Sequence, residues 1–284
     1  MAELLRGAPI AAQITEELQG RVERLAARGV APKLAIVRVG ERPDDLSYER
    51  GACKRADKVG IAVEKFVLPA DCEQADLLDV IEHINADPTI HGCLVFRPLP
   101  KQLDEDAVCA ALDPAKDVDG ITPGSLFGVF ANRPCGFAPC TAEAVVELLE
   151  RSGVALEGAR VTVVGRSLVI GRPVALMLQA RNATVTMCHT RTRDLAGACR
   201  AAEVLVVAAG HTRTVGADCV APGQVVVDVG INWDEGAGKL VGDVCFDEAE
   251  PVVARITPVP GGVGAVTTAV LAQHVVTAAE RAVL

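Results

Sequence analysis

Between residues 9 and 28, apolar side chains return at Ile10, Ile14, Leu18, Val22 and Leu25, the spacing of one helix face, with Pro9 at a first-turn position. The next apolar run, KLAIVRV at 33–39, is unbroken and predicts a strand. A helix over 44–59, a strand AVEKFVL, a helix over 73–86 that stops before Asp87-Pro88, and a strand HGCLVF at 91–96 follow. Helices alternating with short β-branched runs imply an α/β fold with a parallel sheet covered on both faces. From Asp113 to Pro139 the pattern breaks into Pro, Gly and Asp and predicts a junction between domains. After a helix over 141–152 the alternation restarts, with RVTVVG, ATVTMCH, EVLVVAAG and QVVVDVG as strands. The loop TPVPGGVG at 257–264 then leads into a closing helix over 266–282. The expected division is a first domain over 1–139 that also holds the C-terminal helix at 266–284, and a second over 140–265.

Composition narrows the partners. An apolar share of 50% over 284 residues is enough for two ordinary cores. The formal charge of -9 repels phosphate backbones and anionic membrane surfaces, so the expectation is a small-molecule partner, with no nucleic acid and no membrane. The opening MAELLRGAPIAAQITEEL has no sustained apolar core after a basic start, and VLVVAA at 204–209 is strand-sized, so a cytoplasmic protein is expected. Ten cysteines are scattered without a CxxC pair, which fits reduced, buried thiols.

VTVVGRSLVIGRPVALML joins a buried strand to a helix through a glycine-bearing turn, where free backbone N–H groups at a helix start can meet an anion. The spacing, Gly165-x-Ser167-x-x-x-Gly171, also suits a tight turn in any α/β protein. A dinucleotide fold that selects NAD places a carboxylate about 20 residues further on. Here the second strand ends in HTRTR at 189–193, and Arg166 with Arg191 offers a 2′-phosphate site, which favours NADP; the alternative is a solvated arginine edge.

Eight segments in order and register, VGERPDDLSY, GCLVFRPLP, KDVDG, APCT, VVGRSLVIGRP, DVGIN, VGDV and TPVPGGVG, resemble the bifunctional methylenetetrahydrofolate dehydrogenase/cyclohydrolase family over nearly the whole chain. The resemblance implies two α/β domains around a cleft, a homodimer, folate in the N-terminal half and a Rossmann-like NADP-binding domain in the C-terminal half. It implies oxidation of 5,10-methylenetetrahydrofolate to the methenyl cation by hydride transfer, then water addition to give 10-formyltetrahydrofolate. It points to Tyr48, the only tyrosine, as the catalytic candidate that also lines the folate, and on the substrate side to Phe96, Arg97, Pro98 and Leu99, to Asp119 as the partner of the pterin ring, and to Pro260, Gly261 and Gly262. On the cofactor side it points to Gly165, Arg166, Ser167 and Gly171, to Thr190 and Arg191, to Ala209 and Gly210, to Gly230 and Ile231, and to Gly264 and Thr267.

Two positions depart from the family in a way that bears on water addition. The family lysine four residues after the tyrosine is here Ala52, and the glutamine of its VQLPLP-like strand end is Phe96. A methyl group donates no proton, and a phenyl ring does not hydrogen-bond as an amide does. Lys54 lies about 200° around the helix from position 52. Arg55 lies on its side, one turn on, and Arg97 adjoins Phe96 as an anion contact or a surface charge. A guanidinium stays charged and shuttles protons poorly. Beyond the glycine loop, Ala265-Val266 replaces the usual Pro-Met. The five histidines show no metal-ligand spacing, and no metal is expected. Three functions remain open: a dehydrogenase with the hydrolytic step lost or crippled, a paralogue redirected to another cyclic amine or iminium compound, and a non-catalytic folate or NADP sensor.

Overall fold

The computed structural model describes residues 1–236 and 238–283. In chain order the elements are β1 (Glu3–Leu4), α1 (Gly7–Ala26), β2 (Lys33–Val39), α2 (Pro43–Val59), β3 (Ala62–Leu68), α3 (Gln74–Ala86), β4 (Gly92–Val95), α4 (Glu105–Ala111), α5 (Pro123–Ala131) and α6 (Cys140–Arg151). They continue with β5 (Arg160–Val164), α7 (Gly171–Gln179), β6 (Thr184–Cys188), α8 (Leu195–Arg200), β7 (Val204–Val207), β8 (Val225–Asp228), β9 (Asn232–Asp234), β10 (Lys239–Val241), α9 (Phe246–Ala249), β11 (Arg255–Ile256) and α10 (Gly264–Arg281). Contacts divide the chain into two compact units, Met1–Ala11 with Thr141–Thr267, and Ala12–Cys140 with the segment from Thr268 onward. No helix among the described residues is long and apolar enough to cross a membrane.

The unit built on Ala12–Cys140 carries a parallel sheet in the order β3-β2-β4, with Leu34 aligned to Val63 on one side and Gly92 on the other. β2 is buried from Leu34 to Val39, as a central strand covered on both faces must be. α2 starts at Pro43 with Asp44 and Asp45 in its first turn, where carboxylates suit the helix dipole, and ends at Gly60 in the left-handed region (φ 91°). Its inner face buries Glu49, whose carboxylate accepts from Arg38 Nε at 2.9 Å and Lys65 Nζ at 2.7 Å and so pins the helix across β2 and β3. Burial raises the Glu49 pKa, but those two cations outweigh it and hold the carboxyl below its usual value.

The segment after β4 is more ordered than its composition suggested. Lys116 Nζ donates to the carbonyls of Ile84, Asn85 and Asp87 at the end of α3, while its own carbonyl accepts from Cys93 N at 2.6 Å. Asp117, fully buried, accepts from Ile121 N at 3.0 Å and Thr122 N at 2.7 Å. Thr122 then caps α5, accepting from Ser125 N, with Pro123 in the first turn. The expected junction over 113–139 therefore contains a helix, because the capped run LFGVF is short but closed at both ends.

The other unit carries a six-stranded parallel sheet in the order β1-β11-β8-β7-β5-β6, and an antiparallel hairpin, β9-β10, that pairs Trp233 with Leu240. β6 and β7 lie on opposite sides of β5, so strand order reverses there and opens a crevice beyond the carboxyl end of β5. The division expected from the sequence is corrected at the N-terminus. Met1–Ala11 belongs with this unit because β1 pairs with β11, Leu5 N donates to Ile256 O, and Gly7 N to Gly261 O. The free cysteines are mostly buried, Cys135 being exposed.

Asp117→Ala leaves the N–H groups of Ile121 and Thr122 buried without their acceptor. The expected cost is about 3 kcal/mol of unfolding free energy, read by urea denaturation. A loss below about 0.5 kcal/mol would show that the turn does not depend on this carboxylate.

Candidate functional site

Tyr48 projects from the second turn of α2 and meets the Phe96 ring edge-on, with centroids 5.8 Å apart and planes at 82°. Burial pushes the phenol well above its ordinary pKa, and the charges of Asp119 and Cys140 add to the shift. Asp119 itself is pushed up to about 6, chiefly by burial and then by Asp117, with Arg97 opposing. Behind it, Cys140 Sγ donates to Val118 O at 3.1 Å, and His274 Nδ1 lies 2.8 Å from the same oxygen. Tyr48, Phe96, Arg97 and Asp119, separated in sequence, are thus brought to one place.

Ala52 sits one turn along α2 from Tyr48 and is only 2% exposed. The neighbouring cations are occupied elsewhere. Lys54 is exposed, and Arg55 donates to Thr15 Oγ1 at 2.6 Å and to Thr268 Oγ1 at 3.5 Å. Arg97 pairs with Glu105 at 3.3 Å, and the second oxygen of Glu105 accepts from Leu99 N at 3.0 Å. Pro98 O accepts from Arg42, and Leu99 packs on the core. Sequence reasoning missed Glu105. Its only signal was an acid in the first turn of a short helix just after the strand.

In the other unit the glycine turn follows β5. Gly165 is in the left-handed region (φ 122°), and a side chain there would collide with Ala208 O; one on Gly171 would collide with Gly165 O. Ser167 Oγ accepts from Ile170 N at 3.1 Å and Gly171 N at 3.4 Å, closing the start of α7. Val164 and Cys188, the last residues of β5 and β6, are register partners, so Arg166, Thr190 and Arg191 all leave from adjacent strand ends, exposed. Asp194, the first carboxylate after β6, is used as the cap of α8, accepting from Gly197 N at 2.8 Å. Gly230, Ile231, Pro260, Gly261, Gly262 and Gly264 line one cavity of 230 Å³. Ala209 and Gly210 lie exposed beyond β7. Thr267 does not line that cavity. It is 6% exposed, and its hydroxyl donates to Val263 O.

Two further carboxylates escaped sequence reasoning, although Asp228 ends a strand two residues before a glycine and Asp243 follows a glycine just after a strand. Asp228 accepts from the N–H groups of Gly230, Asp243 and Val244 at 2.9–3.0 Å. Burial raises its pKa to about 6 against the lowering effect of those donors. Asp243 accepts from Gly210 N at 2.8 Å and Asn232 Nδ2 at 2.9 Å.

The family described as tetrahydrofolate dehydrogenase/cyclohydrolase, catalytic domain, matches residues 5–119, and the same family's NAD(P)-binding domain matches residues 139–283. The chain belongs to the tetrahydrofolate dehydrogenase/cyclohydrolase family. It is similar to proteins named bifunctional protein FolD from Carboxydothermus hydrogenoformans, 53% identical over 99% of this chain and 98% of that protein, and from Clostridioides difficile, 47% identical over 97% and 96%. Among solved structures it is similar to the bifunctional FolD enzyme of Campylobacter jejuni (TM-score 0.95, 38% identity, 99% of each chain). It is also similar to the Trypanosoma brucei FolD structure complexed with NADP cofactor and inhibitor (TM-score 0.93, 37% identity, 99% of this chain and 98% of that one). Within the tetrahydrofolate dehydrogenase/cyclohydrolase family, the catalytic-domain match spans Tyr48, Ala52, Phe96 and Asp119, and the NAD(P)-binding match spans the glycine turn.

A carboxyl whose folded-state pKa is raised contributes stability that is present below its ordinary value of 3.8 and is lost as pH rises through about 6. Wild-type stability is therefore expected to carry a component that falls between pH 4 and 6. Asp119→Asn should remove part of that fall in denaturant titrations. An unchanged slope would contradict the assigned environment of Asp119.

Proposed function

We propose that the protein is an NADP-dependent 5,10-methylenetetrahydrofolate dehydrogenase of one-carbon metabolism in which the cyclohydrolase step is lost or weak. The observation that carries the reading is the buried methyl of Ala52 beside the Tyr48–Phe96 edge contact, where the family resemblance expects an ammonium and an amide. Hydride transfer asks mainly for alignment of the donor carbon with the nicotinamide, since the folate nitrogens supply the electronic push. Tyr48 offers a ring face to the folate, and Asp119 offers a carboxyl to an aminopyrimidine edge. Bound NADP would supply the hydride acceptor. Opening the methenyl cation also needs proton handling at the one-carbon bridge, and neither a methyl nor a phenyl group provides it.

NADP rather than NAD is supported by the strand ends. Arg166 and Arg191 leave adjacent strands with exposed guanidiniums suited to a 2′-phosphate, and Asp194 is committed to its helix cap. The backbone fits a dinucleotide, because the glycines at 165 and 171 bring the turn close to the start of α7. A homodimer in the cytoplasm completes the reading, on the family resemblance alone. The relatives named above are called bifunctional, so the hydrolytic half of the proposal rests on positions 52 and 96.

A second reading, a paralogue redirected to another cyclic amine or iminium compound, draws support from Arg97. Its guanidinium, held by Glu105, acts on Asp119 where the family strand end has leucine. Turnover profiles separate the two: a strong preference for methylenetetrahydrofolate over small cyclic imines supports the first.

Purified protein is expected to reduce NADP in a folate-dependent reaction, at least about tenfold more efficiently than NAD. Binding of both ligands without any reduction would overturn the dehydrogenase reading. Ala52→Lys alone should not produce methenyl hydrolysis, because Phe96 leaves the new ammonium without a polar partner. Adding Phe96→Gln should raise hydrolysis by about tenfold or more, measured from the decay of methenyl absorbance. Full activity in the single variant would show that position 96 has no part in the loss.

A further inference from the structure

The loops that follow β7 and β8 are joined through Asp243, whose backbone oxygen also accepts from Thr214 N at 2.8 Å. Gly210 is in the left-handed region (φ 69°) and has open space where a side chain would stand. Its N–H is held by Asp243 Oδ2 at 2.8 Å. Asp243 Oδ1 accepts from Asn232 Nδ2 at 2.9 Å, at the start of the hairpin that leaves the β8 loop. Gly230, between β8 and that hairpin, sits against the Asp243 carboxylate so closely that any side chain would collide with it. Asp228 in turn takes the N–H groups of Gly230 and Asp243, so the two carboxylates interlock, and Gly242 leaves room for the carboxylate of Asp228. Asp243 is fully buried and makes no ion pair among the described residues. A buried carboxylate balanced by N–H donors alone is costly, and an apolar residue would fill the space more cheaply.

We propose that Asp243 is a positioning residue for the cofactor. Its two oxygens lock the loop after β7 to the loop after β8, so that Gly210, Gly230 and Ile231 meet a bound dinucleotide as one preformed surface. The inference deepens the dehydrogenase reading and rests on its assignment of these loops to NADP. Because Asp243 touches the Gly210 backbone and the Asn232 side chain rather than the ligand, its effect is on cofactor affinity, through the geometry of groups that would otherwise be ordered on binding.

The test compares the wild type, Asp243→Asn, and the reciprocal swap Asp243→Asn with Asn232→Asp. An amide has one acceptor oxygen, so the single substitution sets N–H against N–H at either Gly210 or Asn232. The swap restores donor to acceptor on both sides. For each protein, the dissociation constant for NADP, the KM for methylenetetrahydrofolate and the melting temperature are measured. The single variant is expected to bind NADP roughly tenfold or more weakly, with the folate KM changed by less than about twofold. The swap is expected to recover most of the lost affinity. An NADP affinity unchanged in the single variant would overturn the proposal. So would a swap as weak as the single variant, or losses at both ligands that merely follow the melting temperature. Should Asp243→Asn fail to fold, Asn232→Ala cuts only the hairpin side of the bridge and is judged by the same cofactor affinity, an unchanged value again overturning the proposal. A wild type that binds no NADP would sink the functional reading itself, a failure distinguishable from one confined to the variants.

Discussion

A parallel sheet ends in loops whose backbone N–H groups have lost their ladder partners, and in both units of this protein buried carboxylates accept them. Asp117, bridged to Cys93 of β4, takes Ile121 and Thr122, and Asp228 takes Gly230, Asp243 and Val244 beyond β8. Each carboxylate lies inside the protein, where an unpaired charge would be destabilising by several kcal/mol. The donors offset that cost and in return lose their freedom. The segments that carry Asp119, Gly210 and Gly230 are consequently set by the interior of each unit.

This dependence explains what could be read from the chain. The helices α1 to α3 and the strands β2 to β8 announce themselves through apolar spacing, because each buries a face long enough to show a period. β1 and β11 are two residues each and α5 is nine, too short for a period, and they exist through pairing and capping with partners distant in sequence. The N-terminal residues fall in the unit opposite to the expected one for that reason: nothing in MAELLRG foretells a strand beside Arg255 and Ile256.

The site shows the same divide. Register with a family placed Tyr48, Phe96, Arg97 and Asp119, and the fold brings them together. Glu105, Asp228 and Asp243 work through backbone groups or a neighbouring guanidinium, and the sequence holds only a carboxylate near a strand end. Thr267, which its position in the motif suggests for the cofactor, is buried and turns its hydroxyl back to Val263 O.

On the proposed reading, the side chains at positions 52 and 96 separate the two half-reactions. The cofactor-side turn carries its glycines and exposed arginines, whereas positions 52 and 96 hold a methyl and a phenyl group, with Arg55 tied to two threonines and Arg97 to Glu105. The proposed function has such a site form the methenyl cation and release it unopened. The most direct measurement supplies authentic 5,10-methenyltetrahydrofolate to the unmodified protein without cofactor and follows its absorbance against a blank at the same pH. The account predicts decay at the buffer rate; hydrolysis accelerated in proportion to protein concentration would contradict it.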